Sequence, residues 1–201
     1  MFESIKLEPE DALEIEKLVK LNTFLTEKLD STTAESFDSS DLIPVKDYEK
    51  ERELSEVRDS FVDKFSIQEI LEALLKDADF LINEDGYIEI TYKQELVTLP
   101  SPYGFKGGMA RSVLRETLGL KSIPPRDLDM IRLSSEPYDG ADSEIAEKYM
   151  PQDFEFGDGV EPVEDQGEYL KTRDFTINEV YVHRSKIVAT EQCIKDTMRN
   201  I

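Results

Sequence analysis

Residues 124–133 read PPRDLDMIRL, an apolar run that carries two aspartates. Asp127 and Asp129 bracket Leu128, and Met130, Ile131 and Leu133 follow. After the break at Pro124-Pro125 the pattern predicts a strand. Alternate residues of a strand share a face, so the two carboxylates project side by side while Leu128 and Met130 turn to the core. Two acids that close repel one another, and each resists ionising beside its neighbour. A divalent cation between them removes the conflict. Hard oxygen ligands suit Mg²⁺, which one or two carboxylates hold together with substrate phosphates. In two-metal sites the ions lie ~4 Å apart and clamp the attacking and leaving oxygens of an in-line displacement. Asp-x-Asp alone is more often a surface turn, and here only its apolar setting argues otherwise.

The stretch just upstream, YGFKGGMARSVLRETLGL over residues 103–120, supplies a second element. It predicts a strand end, a Gly107-Gly108 turn, and a helix over about residues 109–118 closed by Gly119. Paired glycines let the backbone approach a ligand closely and aim free N–H groups at it. Arg111 falls in the first turn, within reach of an anion there. Glycine turn, helix and acidic strand in series make a plausible site for a triphosphate and a metal.

Charge points to the same region. The 201-residue chain carries 45 acids against 24 bases, a net charge of −21. Such a field repels polyphosphate at long range and argues against broad nucleic-acid binding. Yet residues 103–133 hold six bases (Lys106, Arg111, Arg115, Lys121, Arg126, Arg132) against three acids (Glu116, Asp127, Asp129). A basic island in an acidic chain marks a place for an anion, unless it is only one solvated helix face.

The remaining sequence bounds the class. Hydrophobic residues make up 39%, low but enough for a core. Cys193 is the only cysteine, so there is no disulfide framework or thiolate metal cluster, and it reads as an ordinary helix residue. His183 is the only histidine, which leaves a histidine-based triad or zinc site nothing to build on. The start, MFESIKLEPED, lacks the basic and apolar regions of a secretory signal. No apolar run approaches the ~18 residues of a membrane span. These features point to a soluble cytoplasmic protein, with no membrane partner and an oligomeric state left open.

Along the chain, residues 9–29 predict a helix, residues 30–44 an acidic linker, and residues 48–64 a highly charged helix. Ser66 with Glu69 forms a capping box ahead of Ile70, Leu71, Leu74 and Leu75. Alternation places Ile88, Ile90 and Tyr92 on one face of a strand, and Asp85-Gly86 predicts a hairpin turn before it. Residues 134–168 read as acidic loop, with a short strand around Glu155 between Phe154 and Phe156. The segment from Asp174 through VYVHRSKIVAT predicts helix, and EQCIKDTMRNI a final short helix. The resulting division is an acidic, mostly helical extension over residues 1–100, with one hairpin, followed by a second unit over residues 101–201.

Three separated blocks, KGGMARSVL, PRDLDMI and YLKTRDFTINEVYVH, together resemble the head domain of the CCA-adding tRNA nucleotidyltransferase and bacterial poly(A) polymerase family. That family carries Gly-Gly-x-x-Arg, then Asp-x-Asp on the next strand, then Arg-Arg-Asp-Phe-Thr-Ile-Asn. The likeness spans about residues 103–201. It implies an α+β nucleotidyltransferase (polymerase beta-like) fold, a small mixed sheet flanked by helices. It also implies that Asp127 and Asp129 bind Mg²⁺ and activate an acceptor hydroxyl against the α-phosphate of a nucleoside triphosphate. By the same resemblance, Gly107, Gly108 and Arg111 hold the triphosphate, Arg173 and Asp174 contact phosphates and ribose hydroxyls, and Asn178 lies close by. The implied acceptor is RNA, the tRNA 3′ end by analogy. Glu155 is the candidate third carboxylate, with Asp153, Asp158 and Glu161 as rivals. Ser112 stands where the family has an aspartate, and Thr172 where it has the first of two arginines. The family's helical neck and body find no counterpart, which leaves three options: a minimal enzyme with another acceptor, a truncated relative, or a degenerate nucleotide-binding module.

Overall fold

The computed structural model describes residues 59, 62–75, 77–133, 142–149 and 155–199. The helix predicted over residues 9–29, the linker over residues 30–44 and most of the charged helix over residues 48–64 lie outside them; residues 62–64 are helical. The first full element is α1 (Ile67–Leu74). Its capping box is complete: the Ser66 N–H donates to Glu69 Oε2 at 2.8 Å, and the Glu69 N–H donates to Ser66 Oγ at 3.3 Å. Two orphan donors of the first turn are thereby satisfied, and Ile67, Ile70 and Leu71 are left facing the core.

Strands β1 (Ala78–Ile82) and β2 (Tyr87–Tyr92) form the predicted hairpin, paired from Ala78–Tyr92 to Ile82–Ile88. Then come β3 (Tyr103–Lys106), α2 (Gly107–Thr117), β4 (Asp127–Leu133), α3 (Asp142–Tyr149) and β5 (Glu155–Val163). The chain continues through α4 (Gln166–Lys171), a 3₁₀ turn (Thr176–Asn178), β6 (Val180–His183), β7 (Lys186–Thr190) and α5 (Glu191–Arg199). The fold is α+β. Its sheet has seven strands in the order β1-β2-β7-β6-β3-β4-β5, larger than the small sheet expected. Only β4 and β5 run parallel; the other neighbours are antiparallel. Because β2 pairs with β7, the hairpin from the first hundred residues is built into the same sheet as the second half.

Two segments differ from expectation. The residues after Asp174 make one 3₁₀ turn and then the β6–β7 hairpin, not a helix. VYVH and KIVAT are rich in β-branched residues and alternate between two buried faces, so a continuous apolar run mimicked helical periodicity. The stretch expected as loop contains α3 and the start of α4, and the short strand expected around Glu155 is the nine-residue β5. The acids of that stretch hid the two helices: Asp142 opens α3, and Asp165 caps α4 by accepting from the Glu168 N–H at 2.8 Å.

The sheet separates two apolar clusters. On one face Ile88, Ile90, Leu128, Met130, Val182 and Ile187 pack under α1, α2 and α5, joined by Leu114, Leu118, Ile194 and Met198. On the other, Ile131, Leu133, Tyr181 and Val188 pack under Tyr169 and Leu170 of α4. Leu128 and Met130 therefore face the main core as predicted, while Asp127 and Asp129 share the opposite face with Ile131 and Leu133. Helix α2 ends at a Gly119 with φ +72°, where the Gly119 and Leu120 N–H groups return to the Glu116 and Arg115 carbonyls. Among the described residues, no helix is long and apolar enough to cross a membrane.

Leu114 is fully buried at the centre of the α2 face. Leu114→Ala should cost about 2–5 kcal/mol, measured as a lowered midpoint in urea with an unchanged slope.

Candidate active site

The turn from β3 into α2 sets the geometry. Helix α2 begins at Gly107 itself, two residues earlier than predicted, so the glycine pair is its first turn. Gly107 has φ +58°, a left-handed conformation that glycine adopts freely and other residues at a cost. A Cβ there would lie 2.7 Å from Asp129 Oδ2, so the carboxylate sits where any other side chain would begin. The contact follows from strand pairing, because Lys106 and Asp129 are Cα partners across β3 and β4. No side chain caps the start of α2, and no acid occupies its first turn.

Asp127, one turn of the pleat away, is exposed, whereas Asp129 is half-buried. Glu155 is the Cα partner of Asp127 in the parallel β4–β5 pair. Opposite Asp129 the pairing slips, from Leu128–Phe156 to Met130–Val160, so a bulge in Gly157-Asp158-Gly159 bends β5 beside the site. Among the described residues no three histidine, cysteine or carboxylate side chains form a metal cluster. The donor set on β4 is thus the aspartate pair, sufficient for a Mg²⁺ that takes its other ligands from water and phosphate. Of Glu155's rivals, Asp153 lies outside the described residues, and Glu161 is engaged elsewhere.

Glu161 is held by two cations. Lys106 Nζ lies 2.6 Å from Glu161 Oε2, and Arg173 donates from Nη2 to Oε1 at 3.1 Å and from Nη1 to Oε2 at 3.3 Å. Burial opposes the Glu161 charge, but the hydrogen bonds and charges of Lys106 and Arg173 outweigh it and hold its carboxyl below the usual range. Arg173 also stacks on the Tyr169 ring, with Cζ 4.2 Å from the centroid, and donates from Nε to the Tyr169 carbonyl at 3.1 Å. Burial, chiefly, pushes the Tyr169 hydroxyl far above its ordinary value.

The last block reaches the site through the 3₁₀ turn. Asn178 Oδ1 accepts from Arg111 Nη1, which joins the glycine-turn arginine to the Asp-Phe-Thr-Ile-Asn segment. Helix α5 holds that turn in place: Asp196 accepts from Thr176 Oγ1, and the buried Cys193 thiol, pushed up to about 12 mainly by burial, meets the Ile177 carbonyl at 3.6 Å. Cys193 and the buried His183 of β6 both serve as structural residues. Ser112, buried, contacts Ser122 Oγ at 2.5 Å, and Arg115 Nε donates to the Lys121 carbonyl at 2.8 Å. Both contacts tie α2 to the loop that leads into β4.

Two cavities flank the aspartates. One, of about 370 Å³, is lined by Lys106, Asp129, Tyr169, Arg173, Asp174 and Asn178. The other, of about 530 Å³, lies across Gly108 and is lined by Arg111, Arg115, Arg126 and Asp127 beside the apolar Ile123 and Ile177. The fold thus gathers Gly107, Gly108, Arg111, Asp127, Asp129, Arg173, Asp174 and Asn178 around one edge. Sequence reading missed Lys106 and Tyr169 as site residues and named Glu161 only as a metal ligand. A signal for Glu161 existed: it lies two residues before Val163 on β5, hence on the same face as Ile131 and the aspartates. Compared with models of protein families, with curated proteins and with solved structures, the chain matches none.

Gly107→Ala should strain the turn by about 1–2 kcal/mol and displace the Asp129 carboxylate, read as a loss of thermal stability in a melting curve. A depressed carboxyl contributes stability that is present above its unfolded value of about 4.3 and lost as pH falls through the lower folded value. Glu161→Gln should therefore flatten the acid limb of the stability–pH profile below about pH 4. An acid limb identical to wild type would remove Glu161 from that role.

Proposed function

We propose that the chain is a Mg²⁺-dependent nucleotidyltransferase of polymerase-beta-like fold, moving a nucleoside monophosphate from a nucleoside triphosphate to an acceptor hydroxyl on RNA. The observation that supports this reading most is the meeting of three separated sequence blocks at one edge. Asp129 abuts Gly107, and Arg111 bonds Asn178. Residues kept only for packing would have no reason to bring a glycine turn, a carboxylate pair and an arginine–asparagine bond together at the mouths of two cavities.

In the transfer the acceptor oxygen bonds to the α-phosphorus as the bond to the β-phosphate bridge breaks and pyrophosphate leaves. Asp127 and Asp129 would hold Mg²⁺, whose charge would lower the acceptor hydroxyl's pKa and steady the phosphoryl oxygens. The N–H groups of Gly107 and Gly108 and the Arg111 guanidinium bind phosphate oxygens, with Arg111 aimed by Asn178. Arg173 and Asp174 border the opposite cavity, where ribose hydroxyls offer both donors and acceptors.

A second reading, a nucleotide-binding module without turnover, draws on two observations. Arg173 is already paired with Glu161, and Ser112, where the family carries an acid, is spent on Ser122. Label transfer separates the two. Incubated with Mg²⁺, α-labelled nucleoside triphosphates and mixed cellular RNA, the wild-type chain should label RNA. Asp129→Ala should lose at least about a hundredfold of that activity while keeping its circular dichroism spectrum. Nucleotide binding with no label transferred to any acceptor would select the module instead.

A further inference from the structure

Among the described residues, several cations are neutralised at close range. Arg184 lies 2.7 Å from Glu95 and Lys186 2.7 Å from Glu89, at a third cavity between β2 and β7. Arg199 meets Asp63 and Asp196, and Glu161 holds both Lys106 and Arg173. In a chain of 45 acids to 24 bases, cations gathered at a cavity without carboxylate partners mark a place for an anion. Two stand together. Arg111 is bonded by the neutral Asn178 amide, and among the described residues no carboxylate pairs with Arg111 or Arg126. Both line the cavity of about 530 Å³ beside Gly108.

The position of Arg126 is fixed. It precedes Asp127 directly and follows Pro124-Pro125, whose rings restrict the backbone; Pro125 packs against Gly108, where a Cβ would meet it at 3.1 Å. The loop is anchored to α2 by Arg115 on the Lys121 carbonyl and by Ser112 on Ser122. An anion at the aspartate edge that enters this cavity therefore meets both Arg111 and Arg126. On the other side of the edge, Lys106 and Arg173 are answered by Glu161, and Asp129 and Asp174 add negative charge. The cavity beside Gly108 has three arginines against Asp127, whereas the other is lined by two cations and two carboxylates.

We propose that Arg126 binds the terminal phosphates of the donor nucleotide and gives the site its selectivity for triphosphate over monophosphate. The inference rests on the nucleotidyltransferase reading and deepens it: the leaving pyrophosphate lies in the arginine cavity, and the charge-balanced cavity takes the nucleoside side. A guanidinium offers two parallel donors to phosphate oxygens. Its charge has little to bind in a monophosphate seated at the aspartates.

Arg126 is exposed, so Arg126→Gln leaves the core intact. Binding of ATP, ADP and AMP to the full chain with Mg²⁺ is measured by calorimetry, with a short single-stranded oligoribonucleotide as a fourth ligand. The expected result is a loss of about tenfold or more in ATP affinity, one charge-assisted contact, with AMP affinity unchanged. Unchanged ATP affinity, or an equal loss for all three nucleotides, overturns the proposal. A loss confined to the oligoribonucleotide also overturns it, since the cavity then serves acceptor phosphates. Wild-type chain that binds no nucleotide removes both this proposal and the function it rests on; wild-type binding with an indifferent Arg126→Gln removes this proposal alone.

Discussion

The site depends on one absence of space. Asp129 Oδ2 lies 2.7 Å from where a Cβ of residue 107 would stand, so the carboxylate packs directly against the helix start. A side chain at residue 107 would separate β4 from the first turn of α2, and a right-handed residue there would redirect the helix. Strand pairing sets the distance, because Lys106 and Asp129 are opposed at the end of the β3–β4 ladder. The antiparallel ladder delivers an acid to a helix N-terminus, where its charge meets unsatisfied N–H groups and the positive end of the helix dipole. Glycine at residue 107 makes that delivery sterically possible.

Around this contact the chain distributes charge unevenly. Long-range repulsion from a net charge of −21 works against any polyanion, and screening confines it to about 8 Å at physiological ionic strength. Close-range chemistry can still win if cations are concentrated and kept from the surrounding acids. The tethered loop before β4 does this on one side of the aspartates. The Glu161 bridge does the opposite on the other, consuming two cations to fasten β5, the end of β3 and the segment after α4. Two cations meet the carboxylates of Asp129 and Asp174 in one cavity, while three arginines outnumber Asp127 in the other and leave it positive.

The parts of the fold that were legible in the sequence are those whose signals are local. The Ser66–Glu69 box, the Asp85-Gly86 hairpin, Gly119 after α2 and the alternation of β4 each state their structure within a few residues. The β6–β7 hairpin was not legible, because both of its faces are buried: Tyr181 and Val188 pack under α4 while Val182 and Ile187 pack under α2 and α5. Two-sided burial erases the period-two signal. Of strand β5 only the start around Glu155 was legible, since the rest of EFGDGVEPV carries few apolar residues and two glycines where the ladder slips. Of the site, the glycine turn and the aspartates were readable as a pattern. The Lys106–Glu161–Arg173 bridge was not, because it joins residues 55 and 12 positions apart that only the sheet brings together.

The two like charges on β4 are reconciled by the gradient of burial along that strand. Its face passes from exposed Asp127 through half-buried Asp129 to fully buried Ile131 and Leu133, which α4 covers. The outer charge stays solvated and costs little. The inner one meets lower dielectric, where an unanswered charge is expensive, and there the chain places a cross-strand lysine, a helix N-terminus and a glycine that admits close approach. A strand kept wholly for the core would carry Ile or Val at both positions, and one kept for solvent would need no such surroundings. The cost is confined to the boundary between water and core, where a ligand from solvent can reach both carboxylates while the rest of the strand stays locked in the sheet.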